Sequence, residues 1–232
     1  MNAFDFSILS TLSRFAGQHP KFDDAVIFVD DSSFLKAGVI VALCYWSWFK
    51  NGEDLKKNQA ARETIISAML ACFVSIVITR LAVLAFPFRV RPLSDPTNGL
   101  HFPKSTLDWQ NWSSFPSDHA VMFFVLATCL FSISRIFGWI ALLHAVFVVC
   151  LPRVYLGIHH PTDILAGAAI GAGIGLLASQ NPIKNLVAKR PLQWMQKHTG
   201  LFYAVFFLFM YEVTVIFADV RGIMKEVIAL LR

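Results

Sequence analysis

Thr64-Ile-Ile-Ser-Ala-Met-Leu-Ala-Cys-Phe-Val-Ser-Ile-Val-Ile-Thr-Arg-Leu-Ala-Val-Leu-Ala-Phe86 contains a single charged residue, Arg80. As a helix rising 1.5 Å per residue, the run is about 34 Å long, enough to cross a hydrocarbon core of about 30 Å. Further apolar runs occupy 34–49, 120–135, 137–151, 162–178 and 201–218, with Ser134-Arg135-Ile136 a tight turn between two of them. Apolar residues make up 56% of the chain and charged residues 15%, where a soluble domain carries about 25% charged. The expected fold is therefore all-α: an integral membrane bundle of about six transmembrane helices. Its expected divisions are an N-terminal segment (1–33), a six-helix membrane domain (34–218) and a tail (219–232).

The N-terminal segment does not read as a cleaved signal, because Asp5 and Arg14 interrupt its apolar stretch. Phe4 to Phe15 has helical apolar spacing and is expected to lie in the membrane interface. An acidic patch follows, at Asp23, Asp24, Asp30 and Asp31.

The net charge of +5 is concentrated in three links. Lys50, Lys56, Lys57 and Arg62 join the first and second runs, Arg135 joins the third and fourth, and Lys184, Lys189, Arg190 and Lys197 join the fifth and sixth. The positive-inside rule makes their side cytoplasmic. The 87–119 and 152–161 loops then face outward, although Arg221, Lys225 and Arg232 in the tail run against that orientation. No basic cluster interleaved with exposed aromatics suggests nucleic-acid binding. Cys44, Cys72, Cys129 and Cys150 lie in or beside apolar runs and form no Cys-x-x-Cys pair, so buried thiols are expected rather than disulfides or zinc ligands.

The outward loops hold three polar clusters: Phe88-Arg89-Val90-Arg91-Pro92, Phe115-Pro116-Ser117-Asp118-His119, and Arg153 through His159-His160-Pro161-Thr162-Asp163. Phosphoryl transfer spreads charge over three phosphate oxygens and needs fixed cations and N–H donors around them. Arg91 and Arg153 suit a two-sided clamp, because guanidinium grips two oxygens and keeps its charge. Ser117 adds a hydroxyl, and backbone N–H groups near Asp118 and His119 add a helix N-terminus. Helical geometry carried back to His159 would put it on one face with Asp163, leaving His159 as nucleophile and His119 as general acid. No carboxylate cluster of the kind that holds magnesium is evident, so no metal or other cofactor is expected.

These clusters resemble the motifs of the type 2 phosphatidic acid phosphatase superfamily, relatives of vanadium haloperoxidases. Arg91-Pro92, Pro116-Ser117-x-His119 and Arg153-x5-His159-x3-Asp163 match in order and spacing. The resemblance implies the same roles for His159, Asp163, His119, Arg91 and Arg153. Leu84 stands where the family has lysine, Asp118 where it has glycine, and Pro152 where it has serine. Arg89 is a candidate replacement for the lysine. The Phe-x-Arg-x-Arg-Pro and Phe-Pro-Ser-Asp-His forms look like the bacitracin-resistance branch of undecaprenyl-diphosphate phosphatases. That resemblance implies a lipid diphosphate substrate in a bacterial inner membrane, with no obligate protein partner. Alternatives are a phosphatase for phosphatidate, phosphatidylglycerol phosphate or lipid A phosphate, a haloperoxidase, or a non-catalytic transporter or scaffold.

Several residues carry plainer readings. Gly167, Gly171, Gly173 and Gly175 lack a Gly-Lys-Ser/Thr ending and read as a helix-packing surface. His144 and His160 read as structural. Arg80 and Glu212 are ionisable groups in apolar runs: Arg80 is evenly balanced between function and snorkelling, and Glu212 reads as structural. Trp109 and Trp112, with Phe102, suit an interfacial belt or a lipid entrance, and Lys104 is a further candidate for diphosphate binding.

Overall fold

The computed structural model describes residues 1–50, 54–103 and 113–219. Lys104, Trp109, Trp112, the basic tail residues and the side chain of Leu84 lie outside the described residues. The described residues form helices α1 (Ala3–Ser13), α2 (Pro20–Asp31), α3 (Ser33–Phe49), α4 (Leu55–Ala85), α5 (Asp118–Ile133) and α6 (Arg135–His144), then a π-helical stretch (Ala145–Cys150). They continue as α7 (Leu151–Tyr155), α8 (Pro161–Ala178), α9 (Asn181–Lys197) and α10 (Thr199–Thr214). No strand occurs among them.

Local chemistry starts these helices. Ser32 Oγ accepts from Leu35 N at 3.2 Å and an Asp54 carboxylate oxygen accepts from Lys57 N at 3.1 Å, giving α3 and α4 their N-caps. Proline opens α2, α8 and α9, where its missing N–H costs nothing. The π-helical stretch precedes Pro152, and its wider turn relieves the clash of the proline ring with the preceding turn.

Three helices are long and apolar enough to cross a membrane: Leu55–Val83, Arg135–Tyr155 and Pro161–Ala178. Ser33–Phe49, Asp118–Ile133 and Thr199–Thr214 are apolar but shorter. The sixth run, expected to reach 218 and to be among the longest, ends its helix at Thr214. The outer surface carries exposed Trp46, Phe73, Leu81, Trp139, Phe147, Leu165 and Phe207. A bilayer tolerates such a surface and water does not.

Two sequence expectations are corrected here. Arg153, expected in an outward loop, lies in α7, which prolongs the fourth run to Tyr155. The basic link after the fifth run is itself the helix α9.

Packing centres on α5, whose Val121, Met122, Phe123 and Val125 are fully buried. α8 lies against α5 along Gly167, Gly171 and Gly175. A Cβ on Gly167 would lie 2.8 Å from the Ser117 carbonyl oxygen, and one on Gly175 would lie 2.7 Å from Thr128 Cβ. Gly173 has nothing within 4 Å and takes no part. The glycine stripe thus sets how closely two motif-bearing helices approach. The N-terminal segment forms two helices, with α1 against α7 and α8, and α2 against α7. Phe4, Phe6 and Phe15 remain exposed while Leu9 and Asp5 are fully buried.

Candidate active site

The N-terminal ends of α5 and α8 meet the C-terminal end of α7. Ser117 N–H donates to the Asp163 carbonyl at 3.4 Å, tying α5 to α8. Gly157 turns the chain between α7 and α8 with φ +69°, and a Cβ there would lie 2.7 Å from the Phe102 ring. Glycine therefore meets both a backbone and a space requirement at this turn. Ile158 N and His159 N then donate back to the Arg153 carbonyl at 2.9 and 3.2 Å, which fixes His159 relative to α7.

His159 is 2% exposed. Its Nδ1 is 2.9 Å from the Ser114 carbonyl oxygen. A carbonyl only accepts, so Nδ1 carries the hydrogen and Nε2 holds a free lone pair. Arg91 Nη1 stands 3.5 Å from that Nε2 and donates to the Ile158 carbonyl at 2.8 Å. Burial holds the His159 imidazole below its ordinary pKa against the opposing pull of Asp163, favouring the neutral ring. Burial likewise lowers Arg91 to about 10, and it remains a cation at neutral pH.

Asp163 meets His159 at ion-pair distance, but not from the shared helical face that was expected. Helical geometry does not reach back to His159, because α8 begins at Pro161. The Asp163 carboxylate instead accepts from His160 N at 2.8 Å and stands 3.2 Å from His160 Nδ1. His159 Nδ1 lies 3.8 Å away, so the carboxylate reaches that ring through its charge rather than through a hydrogen bond.

His119 occupies the first turn of α5. Its Nδ1 lies 2.9 Å from Asp118 Oδ1, and its Nε2 lies 2.9 Å from Arg153 Nη2. Arg153 can only donate, so His119 Nε2 is the acceptor. Arg153 Nε stands 3.2 Å from Asp30 Oδ1, yet neither group is aligned for a hydrogen bond, so the contact is purely ionic. Asp118 also bridges to Arg80 Nη2 at 2.9 Å. That gives Arg80 a place beside the site rather than at the lipid surface.

The structure thus gathers His119, His159, Asp163, Arg91 and Arg153 into one cluster. Each histidine presents Nε2 to one of the two arginines. Ser117 is fully buried and caps α5 through Ala120 N at 3.4 Å. Arg89 bridges carboxylates instead of presenting a free guanidinium: it bonds Asp163, Thr162 Oγ1 at 2.9 Å and Asp5 at 2.7 Å. His144 hydrogen-bonds the Lys36 carbonyl at 2.9 Å, and Glu212 is part-exposed near the end of α10.

Sequence reasoning missed Asp5, Asp30 and the Ser114 carbonyl. The acidic patch was the signal for Asp30; a backbone carbonyl leaves none. An apolar groove lined by Ile66, Met69, Trp194 and Phe206 lies elsewhere, about 21 Å along α4 from Arg80 by helical rise.

A family model described as the PAP2 superfamily matches residues 64–186. The chain is 28% identical over 138 residues to "Bacitracin transport permease protein BcrC" of Bacillus licheniformis, covering 60% of each chain. It is 27% identical over 176 residues to "Putative undecaprenyl-diphosphatase YbjG" of Escherichia coli (strain K12), covering 76% of this chain and 81% of that one. It is 35% identical over 77 residues to "Undecaprenyl-diphosphatase" of Sulfolobus acidocaldarius, covering 32% of this chain and 37% of that one. No solved structure matches.

Proposed function

The chain belongs to the PAP2 superfamily, and on that premise we propose that it is a membrane phosphatase hydrolysing undecaprenyl diphosphate to the monophosphate through a phosphohistidine. The observation that carries this reading is the pair of imidazole Nε2 atoms, His159 beside Arg91 and His119 beside Arg153. Two arginines supply fixed positive charge where a phosphate gains negative charge. The diphosphate substrate follows from the relatives' names.

The neutral His159 Nε2 attacks the terminal phosphorus. The N–P bond forms as the bond from phosphorus to the bridging oxygen breaks. His119 gives the leaving lipid monophosphate its proton. Arg153, which donates to His119 Nε2, turns to the incoming phosphate, and the added negative charge favours protonation of His119. Asp163 stabilises the cationic imidazole through its charge. Water then gives a proton to His119, attacks phosphorus and breaks the N–P bond, releasing inorganic phosphate. Arg91 and Arg153 supply the countercharge, so the reaction proceeds without a metal.

We further infer six spans within residues 34–218, in the cytoplasmic membrane, with the site outside. Loop charge supports this orientation. The motif-bearing ends of α5, α7 and α8 meet at one level, and Arg80 brings α4 to it.

The test is phosphate release from undecaprenyl diphosphate in EDTA by wild type and His159→Ala. Release that vanishes in the variant supports a metal-independent histidine phosphatase. Release only from phosphatidate-like lipids would reassign the substrate, and no release from any lipid phosphate would defeat the reading.

A further inference from the structure

Asp5 is fully buried, although it is the fifth residue of the chain and lies outside the matched 64–186 region. Its carboxylate accepts from Arg89 Nη2 at 2.7 Å, Thr162 N at 2.9 Å, Thr162 Oγ1 at 2.7 Å and Asn2 Nδ2 at 2.9 Å. The Thr162 N–H belongs to the first turn of α8, where helix amides lack intrahelical acceptors. Arg89 in turn bonds Asp163. The chain of contacts runs Asp5, Arg89, Asp163, then His160 by hydrogen bond and His159 at 3.8 Å.

A carboxylate desolvated this completely is retained only with strong partners. Four donors, one cationic, answer that requirement. The same contacts divide the charge of Arg89 between two carboxylates. Asp163 therefore keeps part of its negative field for the imidazole of His159. That field is needed when phosphoryl transfer leaves the ring cationic.

We propose that Asp5 is a positioning residue of the phosphatase site, acting through Arg89 on Asp163 and so on His159. The role rests on the histidine phosphatase reading above. Without the Asp5 charge, Arg89 pairs with Asp163 alone, and the carboxylate stabilises the phosphohistidine less. Substrate binding is spared, because Arg91 and Arg153, not Arg89, flank the histidine Nε2 atoms.

The experiment is steady-state phosphate release from undecaprenyl diphosphate by wild type, Asp5→Asn, Arg89→Gln and the double variant, each checked for folding by elution and Tm in detergent. Asparagine keeps an acceptor for Thr162 and removes the charge. Asp5→Asn is expected to lower kcat about tenfold, with KM changed less than about twofold. The double variant is expected to be no slower than Arg89→Gln, because without the Arg89 cation the Asp5 charge has nothing to draw away from Asp163. Unchanged kcat in folded Asp5→Asn, a rise in KM alone, or fully additive losses would each overturn the role. If Asp5→Asn fails to fold, Arg89→Lys reads the same bridge: a lysine cannot hold both carboxylates as the guanidinium does, and wild-type kcat there would equally overturn it. Wild type inactive on every lipid phosphate defeats both readings, whereas active wild type with equally active Asp5→Asn defeats only this one.

Discussion

A methyl group on Gly171 would stand 2.1 Å from the carbonyl oxygen of Val121, so α8 and α5 touch backbone to backbone two residues beyond His119. Neither a helix carbonyl nor a helix Cα can yield cheaply, unlike the end of a flexible side chain. Gly171→Ala is expected to destabilise the protein by about 1–3 kcal/mol, the usual cost of overpacking, and to lower activity with it. Gly173→Ala, facing open space, is the control and is expected to leave both unchanged. Thermal unfolding in detergent beside an activity assay checks the pair.

The proposed role of His119 as proton donor makes its loss depend on the leaving group. His119→Ala is expected to slow release from the lipid diphosphate by about 10²–10⁴-fold. An activated aryl phosphate, whose leaving group needs no proton, is expected to suffer far less. Equal losses on both substrates would remove His119 from the acid role.

Arg91 donates to the Ile158 carbonyl and stands beside the His159 lone pair. Arg91→Ala is expected to cost about 10²–10³-fold in kcat/KM, the scale of removing a donor aimed at developing charge. Arg91→Lys recovers only part of this, since a lysine cannot hold the carbonyl and a phosphate oxygen with one planar fork. Rates for the two variants at saturating and limiting substrate decide it.

The pH dependence has a definite sign. Burial lowers the pKa of His159, and as the proposed nucleophile it must be neutral. The acid limb of kcat/KM therefore falls below the ordinary histidine value of about 6.5. The unfolded chain takes up that proton at higher pH than the folded one. The stability held by neutral His159 is thus intact above about 6.5 and declines as pH falls towards the lower folded value. A pH-rate profile paired with Tm against pH checks both, and an acid limb above 6.5 would contradict the burial argument.

Pairing Asp118 with both Arg80 and His119 predicts a further loss. Asp118→Asn removes the Asp118 charge from beside both Arg80 and His119. Activity is expected to drop about tenfold or more, and Arg80→Gln in the same background is expected to add little. A double-mutant cycle on kcat measures the coupling.

Much of this was legible in the sequence because motif spacing and apolar length are local properties. Arg91, His119, Arg153, His159 and Asp163 could be named from their motifs, and the glycines at 167, 171 and 175 from their four-residue interval. What escaped was tertiary. Asp5 read only as an interruption in an apolar stretch, since nothing local points to a partner 157 residues away. Asp163 was expected on a shared helical face with His159, but Pro161 starts the helix after that histidine. Arg153 was expected in a loop, because the fourth apolar run reads as ending at 151, and the π-helical stretch that carries the helix on into α7 is not visible in composition.

The bond from Asp5 to Thr162 also bears on the order of synthesis. Asp5 leaves the ribosome 157 residues ahead of its partner Thr162, with the apolar helices α3 to α6 made between them. Until α8 emerges, Arg89 and the α1 carboxylate have nothing of that helix to hold. A nascent chain, or one truncated before α8, therefore carries the earlier motif residues without Asp163, and a lipid reaching it early meets no finished site.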